Sequence, residues 1–396
     1  MALERAFIPY RAWWSTPFCR WQGGLAGLHS LKLAAQSAGK LLALRGIAPE
    51  SLDGVTFGIT VPQVQSFYGA PWLAGMIGAG GATGPTISQA CATSARCLAS
   101  AALELEHGTR ESILVVAADR TSNGPHVYFP NPSGVGGMGE SENPVWDNFN
   151  LDPHAGGAML STAENAAKAA GISREEQDAI ALLRFEQYQA ALANDRAFQK
   201  PWMIPVEIPK GKKQVTIVDA DEGIFPTTKE GLAGLRPVVE GGSVTFGTQT
   251  HPADGNAGLI VTTRERALQM SAGGPIVQVL GFGEARVAKG LMPMAVVPAA
   301  RQALQRAGVK VEDCAGINTH NPFAVNDAYF CRETGVKPES MNRYGSSLVW
   351  GHPQAPTGLR AMVELFEDLS ARGGGIGLFT GCAAGDTAMA VVVRVG

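Results

Sequence analysis

Two hydrophobic periodicities alternate along this chain. Apolar positions at helical spacing predict a helix over Leu31–Arg45, and the short apolar run Val55–Thr60 predicts a buried strand. Pro71–Gly80 predicts a short helix. A β-prone stretch, Gly84-Pro-Thr-Ile-Ser-Gln-Ala-Cys, then passes into a helix over Ala92–His107 that Gly108 stops. Ile113–Ala118 reads as the next strand, so this region carries the strand–helix rhythm of an α/β protein with helices on the faces of its sheet.

The rhythm breaks between about 121 and 160, where Asn123-Gly-Pro, Pro130-Asn-Pro-Ser-Gly and Gly134-Val-Gly-Gly-Met-Gly are rich in turn formers. An irregular stretch of this length inside an enzyme is usually a binding loop or an interface. Helices are expected over Ser161–Gly171 and Ser173–Asn194, the second opened by the capping box Ser173-Arg-Glu-Glu. Strand-like segments follow at Val215–Val218 and Ser243–Phe246. The remainder predicts a strand over Ile276–Phe282, a helix over Val297–Ala307, a loop around Asn318 and a helix over Leu359–Ala371. Two last strands, Ile376–Thr380 and Thr387–Val393, flank a tight turn at Gly381-Cys-Ala-Ala-Gly-Asp. No direct repetition between the two halves is visible.

Composition narrows the function classes. The 396 residues suffice for more than one core, and 17% charged residues with 49 glycines suit tightly packed α/β layers. A net charge of −3 gives no electrostatic footprint for nucleic acid or anionic membrane, and no apolar run reaches the length of a membrane span. The beginning lacks a basic region followed by an apolar core, and the end carries no lipidation or peroxisomal address, so a cytoplasmic location is expected. Six scattered cysteines without CxxC pairs argue against a metal site and a disulfide framework.

One cysteine stands apart. Cys91 falls at the expected strand-to-helix corner, where unpaired N–H groups and the helix dipole favour thiolate. Three further segments stand with it: His320 and Asn321 in NTHNPFAVN (318–326), His352 in GSSLVWGHPQAPTG (345–358), and Cys382 in TGCAAGDTAMA (380–390). This ordered set resembles the thiolase family, and the resemblance runs along nearly the whole chain. STPFCRWQGGLA (15–26), TAENAAKAAGISREEQD (162–178) and LRPVVEGGSVTFGTQTHPADGNAG (235–258) are similar to further family segments.

The resemblance implies a thiolase fold of class α/β: two similar halves in a five-layered αβαβα core, with an inserted loop domain over the substrate. The N-terminal half would span 1–120 and 246–270, the insertion 121–245 and the C-terminal half 271–396. It implies an acyl-CoA C-acyltransferase performing reversible Claisen condensation and thiolysis of 3-oxoacyl-CoA. Coenzyme A and acyl-CoA would be substrates, with no tightly bound cofactor, and the chain would form a dimer or tetramer. Cys91 would carry the acyl group, because thioester exchange with a thiolate is nearly balanced. His352 would take the thiol proton, Cys382 would act as the acid/base thiol, and His320 would donate to the enolate oxygen. Backbone N–H groups at Cys91 and Ala384 would form a second oxyanion hole. Thr250, Phe323, Asn321 and His126 would meet the substrate.

Three departures from the family pattern bear on this. His320-Asn-Pro-Phe carries Asn321 where relatives have an acid. Cys382-Ala-Ala-Gly places Ala383 and Ala384 where glycines are commoner, and alanine disfavours positive φ. Phe225 stands where many relatives grip the CoA nucleotide with arginine, leaving Lys210, Lys212, Lys213, Lys229 or Arg236 to supply charge. The rival readings are a retro-aldolase or lyase of the same superfamily, a condensing enzyme acting on carrier-bound acyl groups, and a non-catalytic acyl-CoA-binding protein. The presence of both Cys91 and Cys382 argues against the first two. Trp13, Trp14 and Trp21 are expected in packing or subunit contacts, and Cys97 in the core.

Overall fold

In the computed structural model, which describes residues 2–211 and 214–396, the first half contains β1 (Phe7–Ile8), β2 (Trp13–Ser15), β3 (Cys19–Arg20), α1 (Ser30–Arg45), β4 (Gly54–Gly58), α2 (Ala70–Ile77), β5 (Thr86–Ile87), α3 (Thr93–Glu106) and β6 (Ser112–Arg120). An insertion follows: β7 (Val127–Phe129), β8 (Glu140–Glu142), α4 (Trp146–Asn150), α5 (Met159–Ala170), α6 (Arg174–Arg196), β9 (Val206–Lys210), β10 (Gln214–Val218) and α7 (Lys229–Ala233). β11 (Ala253–Thr262) and α8 (Arg264–Ser271) complete that half. The second half contains β12 (Val277–Arg286), α9 (Val296–Ala307), β13 (Cys314–His320), α10 (Ala324–Thr334), α11 (Ser347–Trp350), α12 (Thr357–Ala371), β14 (Gly375–Ala383) and β15 (Thr387–Val395).

The halves share one topology. β4 runs parallel to β5 and β6, and β6 pairs antiparallel with β11. Likewise β13 runs parallel to β14, β14 pairs antiparallel with β15, and β15 with β12. The half-sheets meet through β1, which pairs antiparallel with both β11 and β12. A duplication absent from the letters is therefore plain in the backbone, because cores tolerate wholesale hydrophobic exchange once pattern and volume are kept.

Side-chain alternation sets the layers. On β6, Val115 and Ala117 join a central core with Leu98 and Leu105 of α3 and Leu359, Met362 and Phe366 of α12. Leu114, Val116 and Ala118 face the other way, onto α1 and α2. β15 repeats this, with Val391 and Val393 turned to the central helices and Val392 to α9 and α10. Strands covered on both faces read as unbroken apolar runs, which is why Ile113–Ala118 and the last strand were legible. The order is helix, sheet, helix, sheet, helix.

Three expectations fail, each for a physical reason. The segment around Asn318 is the strand β13, not a loop; its polar residues are paired, Asn318 Nδ2 donating to the Ala361 carbonyl (2.9 Å) and Thr319 Oγ1 to Asp327 (2.6 Å). β11 escaped notice because Asp254, Gly255, Asn256 and Gly258 look like a turn. Trp14 lies against Gly258 and Phe18 against Gly255, where a Cβ would clash, and Trp14 Nε1 donates to Asn256 (2.8 Å). Ser243–Phe246 is not a strand: the Glu164 carboxylate accepts the N–H groups of Ser243 (2.9 Å) and Val244 (2.8 Å), and a 3-10 turn follows.

The insertion leaves between β6 and β11, neighbours in the sheet, so it is accommodated without disturbing the layers. Its α6 opens with the expected capping box, Ser173 N–H donating to Glu176 (2.7 Å) and Glu176 N–H to Ser173 Oγ (3.2 Å). Two fully buried ion pairs fasten it down. Arg360 of α12 holds Asp221 through both carboxylate oxygens (2.5 and 2.7 Å), with its guanidinium over the rings of Trp350 and Phe18. Arg184 of α6 holds Asp327 of α10 at 2.8 Å. Such pairs define where the insertion sits more than they add stability, since desolvation offsets much of the attraction.

Candidate active site

Cys91 lies in a turn two residues before α3, fixed by Thr93 Oγ1, which accepts the Gln89 N–H (2.8 Å) and donates to the Ala90 carbonyl (2.7 Å). Ala90 has φ 44°, a left-handed conformation that a side chain disfavours and that persists where the surroundings enforce it. The turn presents the thiol at the floor of a cavity of about 480 Å³.

His352 reaches the same floor from the loop before α12. Its Nε2 lies 3.0 Å from Cys91 Sγ, and its Nδ1 lies 2.6 Å from Thr357 Oγ1. His320 ends β13, fully buried, with its ring 4.1 Å from that of His352 and its Nδ1 2.9 Å from Ser347 Oγ. Cys91, His320 and His352 each bring a ring nitrogen or sulfur within 4.8 Å of the others. Cys382, expected in a turn, is the penultimate residue of β14, paired with Ala388 of β15, and its sulfur accepts an N–H from Asn326 at 3.2 Å.

Electrostatics reverse one expectation. Burial pushes the Cys91 thiol up to about 12, against the N–H groups of Ala384 and of Cys91 itself, which favour thiolate. Burial also pulls His352 down to about 3, and His320 well below the ordinary histidine range, with His352 adding to the effect. Desolvation therefore opposes the helix terminus and favours a neutral thiol beside a neutral imidazole. Alkylation of Cys91 by iodoacetamide is accordingly expected to accelerate continuously from pH 7 to 10, because an acid with a raised pKa gains its reactive anion only as pH rises. A rate already flat at pH 7 would instead mean a resting thiolate–imidazolium pair.

Thr250, Phe323 and Ala384 line the cavity, with Trp146, Phe149 and Met159 of the insertion on another wall. The Thr250 hydroxyl is spent on the Ser347 carbonyl. Two residues expected at the substrate lie elsewhere. His126 is solvent-exposed and away from the cavity lining. Asn321 is fully buried and turned from the cavity, its Nδ2 donating to Asp327 (2.6 Å) and its Oδ1 facing Ser347 Oγ (3.2 Å) and the Leu348 N–H (3.3 Å). The Asp327 carboxylate that meets the Asn321 amide also receives Arg184 and the Thr319 hydroxyl.

Ala383 and Ala384 keep negative φ, while Gly385 (82°) and Asp386 (60°) make the left-handed turn, so the alanines cause no backbone strain. Phe225 is 66% exposed, edge-on to His251. Lys210, Lys229 and Arg236 are exposed, and Lys212 and Lys213 lie outside the described residues. Trp13 and Trp14 are buried, Trp21 is half-exposed, and Cys97 is in the central core.

Asn326, Ser347 and Asp119 were not foreseen. Asp119 accepts N–H groups from Thr60 (2.9 Å), Val61 (2.9 Å) and Ala355 (2.8 Å), tying the His352 loop to the end of β4. Its only signal in the sequence is an aspartate closing an apolar strand.

Fold and site together define an acyltransferase. Residues 13–265 match the family model for the thiolase N-terminal domain, and residues 274–395 that for the thiolase C-terminal domain. An acetyl-CoA acetyltransferase of Syntrophomonas wolfei is 31% identical over 390 residues, covering 96% of both chains. The crystal structure of the Bacillus anthracis acetyl-CoA acetyltransferase superposes with TM-score 0.91 at 26% identity, covering 100% of each chain. That of human mitochondrial 3-ketoacyl-CoA thiolase in complex with CoA superposes with TM-score 0.90 at 26% identity, covering 100% of this chain and 99% of the other. The chain belongs to the thiolase family.

Proposed function

We propose that this chain catalyses the reversible condensation and thiolysis of 3-oxoacyl-CoA in two half-reactions through acyl-Cys91. The observation that carries the reading is the 3.0 Å approach of His352 Nε2 to Cys91 Sγ at the floor of a largely apolar cavity. In the first half-reaction Cys91 attacks the thioester carbonyl as its proton passes to His352, which returns that proton to the CoA sulfur as the bond to it breaks and CoA leaves as the thiol. The N–H groups of Cys91 and Ala384 face the sulfur and suit the oxyanion formed beside it. In the second, Cys382 as thiolate removes a proton from the α-carbon of the incoming acyl-CoA, and His320 holds the enolate oxygen. The carbanion attacks the acyl carbon as its bond to Cys91 Sγ breaks, and the departing Cys91 thiolate takes up the proton now on Cys382.

The substrate is CoA-bound, and the insertion 121–245 covers it between the halves 1–120 with 246–270 and 271–396. Val145, Trp146 and Met159 on the cavity wall support that division. The setting is lipid metabolism in the cytoplasm, consistent with six unpaired cysteines and with no described helix long and apolar enough to cross a membrane. A dimer or tetramer is supported by β5, an end strand of the sheet, and by Phe67 and Tyr68, 91% and 70% exposed on the loop before α2. Incubation with acetyl-CoA or acetoacetyl-CoA followed by peptide mass spectrometry tests the core claim: an acyl mass on the Cys91 peptide is expected. An unmodified Cys91 in protein that still binds CoA would refute acyl transfer and favour a binding protein.

A further inference from the structure

Ser347 begins α11, and its hydroxyl is fully buried among three polar neighbours. His320 Nδ1 lies at 2.9 Å, the Asn321 N–H donates to it at 3.2 Å, and Asn321 Oδ1 lies at 3.2 Å. A hydroxyl has one proton to give. The backbone N–H cannot accept it, so His320 Nδ1 and Asn321 Oδ1 compete. Asn321 Oδ1 already receives the Leu348 N–H, and the path to His320 is the shorter.

We propose that Ser347 is a positioning residue that fixes the tautomer of His320: its hydroxyl donates to Nδ1, so that the ring proton resides on Nε2. The inference rests on the transferase reading above for the task it assigns, presenting an N–H to the carbonyl or enolate oxygen. Two observations support it. His320 Nε2 is buried without a hydrogen-bond partner among the described residues, a costly state expected of a donor reserved for a ligand. His352 offers the opposite arrangement, with Nε2 3.0 Å from the Cys91 thiol and Nδ1 2.6 Å from Thr357 Oγ1: an Nε2 that is to take the thiol proton leaves the ring proton on Nδ1, within reach of Thr357.

Two adjacent imidazoles are thereby given different tasks by two hydroxyls, one a base and one a donor. When His352 takes the thiol proton, the ring 4.1 Å away must stay neutral, and a neutral ring donates from Nε2 only if Nδ1 is held as an acceptor. Asn321 suits this role better than an acid would. A carboxylate there would draw the hydroxyl proton from His320 and would face Asp327, now 2.6 Å from the amide.

The test is 15N NMR of histidine-labelled protein, combined with kinetics of wild type, Ser347→Ala and Ser347→Thr. In resting wild type, the two nitrogen shifts of His320 should report a bare Nδ1 and a protonated Nε2. Ser347→Ala should mix the tautomers and lower kcat for exchange about 10-fold, the equivalent of one lost hydrogen bond, with KM and the first acylation of Cys91 within about twofold. Ser347→Thr, which keeps the hydroxyl, should restore both. A protonated Nδ1 in wild type overturns the proposal. So does Ser347→Ala with unchanged shifts and kcat, or Ser347→Thr with wild-type shifts and the slow kcat of the alanine variant. The shifts are read without substrate, so a failure of Cys91 to acylate defeats the transferase reading while leaving this measurement intact.

Discussion

Cys91→Ser is expected to lower acyl exchange on the order of 10⁴-fold, and His352→Gln by a comparable amount, with the double variant little worse than either. The reason is the neutral resting pair. With the thiol pushed up to about 12 by burial, Cys91 attacks only as its proton leaves, and His352 Nε2 at 3.0 Å is the acceptor in reach. Serine keeps the geometry but offers a much weaker acid to the same imidazole. Glutamine keeps a polar side chain but cannot take a proton. Because the two residues perform one step, removing the second should cost little once the first is gone. Exchange rates and acyl-Cys91 yields for the three variants check this. Multiplicative losses in the double variant, or a serine variant keeping a tenth of the exchange, would refute the coupled pair.

The same geometry shows what a single sequence discloses. Strands buried on both faces, such as β6 and β15, are legible because their apolar runs need no partner to be recognised. The capping box at Ser173 is legible because it is local. Cys91 and His352 carry motif frames, so their meeting at 3.0 Å was anticipated although they are 261 residues apart.

What was hidden depends on residues defined by distant partners. β11 reads as a turn until Trp14 and Phe18 are laid on its glycines. Asn321 reads as a substrate contact until Asp327 and Ser347 claim its amide. Arg360 is an ordinary charge on a helix until Asp221, 139 residues earlier, meets it in the core. The helix-dipole argument for a Cys91 thiolate meets an opposing effect for a related reason: the terminus is local, whereas the burial that raises the thiol is set by the folded chain around it.

Cys382→Ala should separate the two half-reactions, leaving Cys91 acylation intact and lowering exchange about 10³-fold. Burial raises the Cys382 thiol strongly, and charge at Cys91 raises it further, while the Asn326 N–H at 3.2 Å favours the anion. These terms give the site an internal order. While Cys91 can carry charge, a second thiolate beside it is penalised. Once Cys91 is a thioester it can no longer ionise, so burial remains the main obstacle to a Cys382 thiolate when the α-carbon of the second substrate must lose its proton. The acyl-enzyme of the alanine variant should therefore accumulate and persist, visible as a stable acyl mass on the Cys91 peptide with little exchange of label into 3-oxoacyl-CoA. Exchange at the wild-type rate would remove Cys382 from the chemistry, and loss of acylation itself would place it in the first step instead of the second.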